Sequence, residues 1–99
     1  MTITKTVSGK DFILSLAGRL DTTTCTQLSD EVKSIFMEGP VNLVFDLKDL
    51  DYISSAGLGV LAAAQKRAAV QGTTVELTGA WGIVKEVLDM TGFSAILRK

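Results

Sequence analysis

The stretch Val41–Leu47, VNLVFDL, constrains this chain more than any other. It has the length of a strand and is apolar enough to be buried on both faces, as inner strands of parallel sheets are. Helical patterns stand on either side of it. Before it, Cys25, Leu28, Val32, Ile35 and Phe36 recur at helical steps and form one apolar stripe opposite Asp30, Glu31 and Lys33; Gly39-Pro40 stops that helix. After it, an alanine-rich helical pattern runs from Ser54 to about Val70 and ends at Gln71-Gly72. Strands alternating with helices imply a parallel sheet built by right-handed crossovers.

The remaining segments fill in this frame. Ile3 and Val7 alternate with polar residues over Thr2–Val7, Ser8-Gly9-Lys10-Asp11 is a turn signal, and Phe12, Leu14 and Leu16 alternate up to Ala17-Gly18. Two such runs around a glycine turn predict an antiparallel hairpin. Asp21-Thr22-Thr23-Thr24 is a cluster of N-cap residues, and Thr24 with Gln27 fits a capping box. Lys48–Ile53 is predicted as a connecting loop. Thr74–Leu77 reads as a short strand, Thr78–Trp81 as a loop, and Ile83, Val84, Val87 and Leu88 as the stripe of a short helix that Thr91-Gly92 ends; Ala95, Ile96 and Leu97 are predicted as a terminal strand. The expected order is β-β-α-β-α-β-α-β: a single small α/β domain over residues 1–99, its sheet mixed but mostly parallel, with an antiparallel strand at the N-terminus.

Composition narrows the function. A chain of 99 residues supports one core. Its net charge of −1 lacks the basic excess that neutralises phosphates, so no direct nucleic-acid partner is expected. No cationic amphipathic stretch points to a membrane surface. The N-terminus shows no signal-peptide apolar region, and the longest apolar run, Gly57–Ala64, is far short of the roughly 20 residues a bilayer needs. A cytoplasmic protein is expected. There is no histidine, which removes the commonest general base and metal ligand. Cys25 is the sole cysteine and, at helical spacing among apolar residues, is expected to be a buried structural thiol. Neither catalysis nor a metal or other cofactor is expected.

The unusual place is Tyr52-Ile53-Ser54-Ser55-Ala56-Gly57-Leu58-Gly59-Val60. Two serines stand where a helix starts, and two glycines follow inside it, each costing about 1 kcal/mol relative to alanine. Such glycines suggest that something approaches the backbone closely. On the plainest reading Ser54 or Ser55 is an N-cap and the glycines pack against the sheet. A dinucleotide turn is a second reading, since Gly57-x-Gly59-x-x-Ala62 fits the loose pattern. It lacks the tight strand-to-helix turn, and Glu76, the acidic residue in range, falls in a short strand. A serine nucleophile has no histidine to activate it and no Ser-x-x-Lys spacing. A phosphate acceptor is the fourth reading. The N–H groups and dipole at a helix start favour negative charge, and a phosphate of about −1.5 to −2 would act on whatever docks there.

Four stretches together resemble the STAS-domain family, specifically the bacterial anti-sigma factor antagonists. Gly18-Arg19-Leu20-Asp21 is similar to that family's G-x-L-D turn, and Val44-Phe45-Asp46-Leu47 to its central strand. Ile53-Ser54-Ser55-Ala56-Gly57-Leu58-Gly59-Val60 is similar to its D-S-[ST]-G-L-G signature, with Ser54 in place of Asp and Ala56 in place of Ser or Thr; Val87–Phe93 is similar to its closing helix motif.

The resemblance implies partner switching. An antagonist of this kind binds an anti-sigma factor that is also a serine kinase, which frees the sigma factor; phosphorylation of the antagonist releases it, and a serine phosphatase resets the cycle. The family's phosphoserine falls on Ser55, with Ser54 as second choice, and its glycines on Gly57 and Gly59. Asp21, Ser54, Ser55, Ala56, Gly57, Leu58 and Gly59 are the expected partner-binding residues, in a monomer or weak dimer. A scaffold subunit of a larger regulatory or transporter assembly, never phosphorylated, is the alternative within the family.

Overall fold

The alternation at the N-terminus folds as a hairpin. A computed structural model of the chain describes residues 1–9 and 11–93. In it β1 (Thr2–Ser8) pairs antiparallel with β2 (Asp11–Leu20), from Thr2 opposite Ala17 to Ser8 opposite Asp11. β2 runs parallel to β3 (Asn42–Ile53), and β3 parallel to β4 (Val75–Thr78), in spatial order β1-β2-β3-β4. Helix α1 (Cys25–Met37) links β2 to β3, α2 (Ser55–Gln71) links β3 to β4, and α3 (Gly82–Thr91) follows β4. The mixed, mostly parallel sheet is therefore the expected one. The predicted terminal strand at Ala95–Leu97 lies outside the described residues.

The core explains the layering. Leu14 and Leu16 of β2, Leu43, Phe45 and Leu47 of β3, and Val75 and Leu77 of β4 share one buried cluster with Leu28, Val32, Ile35 and Phe36 of α1, Leu61, Ala64 and Ala68 of α2, and Val84 and Leu88 of α3. Strand side chains alternate between faces, so one shared cluster places all three helices on one side of the sheet. Each fully buried Leu or Phe there contributes roughly 1.5–3 kcal/mol. On the other face Val44 is buried, but Asp46 is only half-buried and accepts a 3.4 Å hydrogen bond from Ser15 Oγ. The strand VNLVFDL is thus wholly apolar on its helix side alone.

Lys48–Ile53, predicted as a loop, is instead the second half of β3. Its pairing with β2 shifts register twice: Ser15 faces Asp46 but Ala17 faces Asp49, and Gly18 faces Leu50 but Arg19 faces Tyr52. At each shift β3 carries one residue more than β2, as a bulge does. The buried positions therefore recur as Leu47, Leu50 and Ile53, at steps of three rather than two. That spacing hides the strand from a period-two reading.

Two local expectations at α1 also change. Thr24 does not cap through its side chain; its backbone is already helical at φ −97° and ψ −15°, so its hydroxyl turns back to donate to the Arg19 carbonyl at 2.7 Å. Gln27 Nε2 donates to the Met1 carbonyl at 3.4 Å, so no capping box forms. Cys25 is half-buried rather than sealed in the core, its thiol 3.5 Å from the Thr22 carbonyl.

Candidate functional site

The site sits at the carboxyl ends of the parallel strands, where ligands collect in open α/β sheets. Leu20 and Ile53 are opposite one another in the sheet, and the Ser54 N–H donates to the Leu20 carbonyl at 2.9 Å. The turn that starts with Asp21 and the start of α2 are thereby tied side by side.

At the start of α2 the two serines take different parts. Ser54 is extended at φ −98° and ψ 173°, and its Oγ accepts the N–H of Gly57 at 3.2 Å, while its carbonyl accepts the N–H of Leu58 at 2.9 Å. Ser54 is the N-cap, half-buried and occupied. Ser55 is the first residue of the helix and is exposed; its hydroxyl makes no hydrogen bond among the described residues. It stands at the positive end of the helix dipole. The choice between Ser54 and Ser55 as cap, open in the sequence, is settled in favour of Ser54.

The two glycines also divide. Gly57 is buried, and a Cβ built there would lie 2.7 Å from Leu20 Cγ and 3.1 Å from Ile53 Cγ1. What approaches its backbone is the protein's own core. Gly59 is exposed, and a Cβ there would meet nothing within 4 Å. Four residues apart, Ser55 and Gly59 share the outward face of α2. Ala56 and Leu58 are half-buried beside them. Because β3 runs to Ile53 and Ser54 alone separates it from α2, the strand-to-helix turn is tight, contrary to expectation. Both glycines nonetheless lie inside the helix rather than in that turn, so neither bends the chain around a ligand.

Asp21 is committed to its own turn. Its Oδ1 accepts the N–H groups of Thr23 at 3.0 Å and Thr24 at 3.1 Å, and its Oδ2 lies 3.8 Å from Arg19 Nε. The hydrogen bonds, foremost from the Thr23 hydroxyl and then from the Thr24 N–H, hold its carboxyl below the ordinary carboxylate range. Arg19 also stacks over the Tyr52 ring, 4.3 Å from the ring centre, within cation–π range. Arg19 and Tyr52 thus border the site although neither was among the expected partner-binding residues; the register shift that pairs them leaves no periodic signal. Among the described residues no cluster of three or more His, Cys, Asp or Glu could hold a metal ion, and no helix is long and apolar enough to cross a membrane.

The STAS domain family model matches residues 2–99. The chain belongs to the STAS domain family. Among curated proteins, the STAS chain is 39% identical over 85 residues to BtrV of Bordetella bronchiseptica, assigned as an anti-sigma factor antagonist; the match covers 85% of this chain and 72% of BtrV. It is 31% identical over 55 residues to the anti-sigma-F factor antagonist RsfB of Mycobacterium tuberculosis, a match covering 56% of this chain and only 45% of RsfB. Among solved structures, the anti-sigma factor antagonist SpoIIAA in its unphosphorylated form superposes with a TM-score of 0.88 at 16% identity, covering 98% of this chain and 86% of SpoIIAA. The phosphorylated form of Bacillus SpoIIAA gives 0.80 at 15% identity, covering 98% and 89%. At these identities the superpositions establish the STAS fold.

Proposed function

We propose that this STAS domain is an anti-sigma factor antagonist that docks on an anti-sigma factor with serine-kinase activity and is released by phosphorylation of Ser55. One observation carries the reading: Ser54 does the capping, so Ser55 is left exposed, unbonded and at the start of a helix. A kinase would move the γ-phosphoryl of ATP to Ser55 Oγ, with loss of the hydroxyl proton and release of ADP. The fold loses nothing, because no hydrogen bond among the described residues depends on that hydroxyl and the dipole favours the new charge. The docked partner meets a charge of about −2 in a desolvated interface, where an unpaired charge costs several kcal/mol. The names of BtrV and RsfB support the antagonist role. Asp21 shapes the neighbouring turn, and Gly59 lets the partner come close to α2. A serine phosphatase restores the hydroxyl.

The test is mass spectrometry after incubation with the anti-sigma kinase of the same organism and ATP. Phosphate is expected on Ser55 and not on Ser54. Retained binding with no phosphate on either serine would leave a fixed adaptor in place of a switch.

A further inference from the structure

Helix α2 carries Lys66 and Arg67 and no acidic residue over its 17 positions. Lys33 stands beside it on α1. All three are exposed, and none makes an ion pair among the described residues, whereas Lys5, Arg19, Lys48 and Lys85 each have a carboxylate within 4 Å. The acids beside Lys33 in sequence do not neutralise it: Glu31 is engaged by Lys5 at 3.4 Å, and Asp30 forms no ion pair among the described residues. Lys33 and Arg67 flank a groove of about 60 Å³ between α1 and α2, walled by Val32, Val60, Ala63 and Ala64. It has room for one small apolar side chain between two free cations.

We propose that this groove receives an acidic segment of the partner that docks at Ser55, with one small apolar side chain seated between carboxylates that pair with Lys33 and Arg67. The inference rests on the Ser55 reading and adds the chemistry of the partner's surface. Arg67 lies twelve residues beyond Ser55, roughly 18 Å along the helix. An interface of standard size, about 800 Å² per partner, spans that distance.

The experiment titrates wild type, the Lys33→Glu/Arg67→Glu double variant, Ser55→Asp and Lys5→Glu against the anti-sigma kinase of the same organism, at low and high salt. Both reversed positions are exposed, and a thermal melt confirms that the double variant folds. Rim charges act mainly on association rate and salt dependence. The double variant is expected to associate at least about tenfold more slowly at low salt and to lose most of the salt dependence of wild type, with Lys5→Glu close to wild type. Unchanged rates and salt dependence in the double variant, with Ser55→Asp still weakened, would overturn the groove and leave the Ser55 reading standing. An equal loss in Lys5→Glu would reduce the effect to net charge and overturn it too. A wild-type protein that binds no such kinase overturns both.

Discussion

Gly57 lies so close to Leu20 that a Cβ on the glycine would stand 2.7 Å from Leu20 Cγ. Leu20 is fully buried, and Cγ is its branch point rather than a free end, so neither side can yield cheaply. This contact seats the start of α2 directly on the end of β2, and with it fixes where Ser55 emerges.

Gly57→Ala should therefore destabilise the fold. Overpacking typically costs about 1–3 kcal/mol, and alanine's helix preference returns about 1 kcal/mol, so a net loss of up to about 2 kcal/mol is expected. Urea denaturation measures it. A variant about 1 kcal/mol more stable than wild type, alanine's helix preference unopposed, would mean that α2 does not sit this close to Leu20.

Gly59→Ala should do the opposite, because nothing within 4 Å opposes a Cβ there. A gain of up to about 1 kcal/mol is expected on denaturation. The same variant should bind the anti-sigma kinase more weakly, since the added methyl projects from the docking face. A glycine that costs stability and is used only in a complex gives this opposed pair of effects. Stabilisation without weaker binding would place Gly59 outside the interface.

The two serines should separate cleanly. Ser54→Ala removes the hydrogen bond to the Gly57 N–H and should cost about 1 kcal/mol, as loss of an N-cap does. Ser55→Ala breaks no hydrogen bond among the described residues and should leave stability within about 0.5 kcal/mol of wild type. Thermal or chemical melts of the pair decide this; equal losses would contradict the division of labour between them.

Acid should weaken the fold through two carboxylates. Hydrogen bonds from Thr23 and Thr24 lower the Asp21 pKa. At Asp46 burial pushes the carboxyl up, but the Lys48 N–H, the Lys48 ammonium and Ser15 outweigh it, so the pKa is again lowered. Both groups bind a proton less readily folded than unfolded. Their contribution is then complete above about pH 4 and disappears as pH falls through the folded values. Asp21→Asn/Asp46→Asn should flatten the loss of stability below pH 4, measured by denaturation across pH. A double variant with the wild-type acid profile would contradict this.

Much of this was legible in the residues. The stripe Leu28, Val32, Ile35 and Phe36 is the buried face of α1, and Gly72 and Gly92 end α2 and α3 as the helix-stop signals indicated. The junction at Ser54–Gly59 stood out because glycines inside a helix need a reason. The second half of β3 was not legible, because two bulges break the alternation on which strand reading depends. Nor was the cap at Thr24, where a local backbone angle redirects a hydroxyl. The separate roles of Gly57 and Gly59 could not be read either, because one methyl's worth of space depends on packing with Leu20, 37 positions away in the chain.

Calorimetric titration of the anti-sigma kinase with the domain, first unmodified and then phosphorylated on Ser55, tests the central claim most directly. The unmodified domain should bind, and the phosphorylated one should bind at least about a hundredfold more weakly while melting at the same temperature. Equal affinities for the two forms would contradict the claim that charge on an exposed, unbonded serine at the start of α2 controls docking.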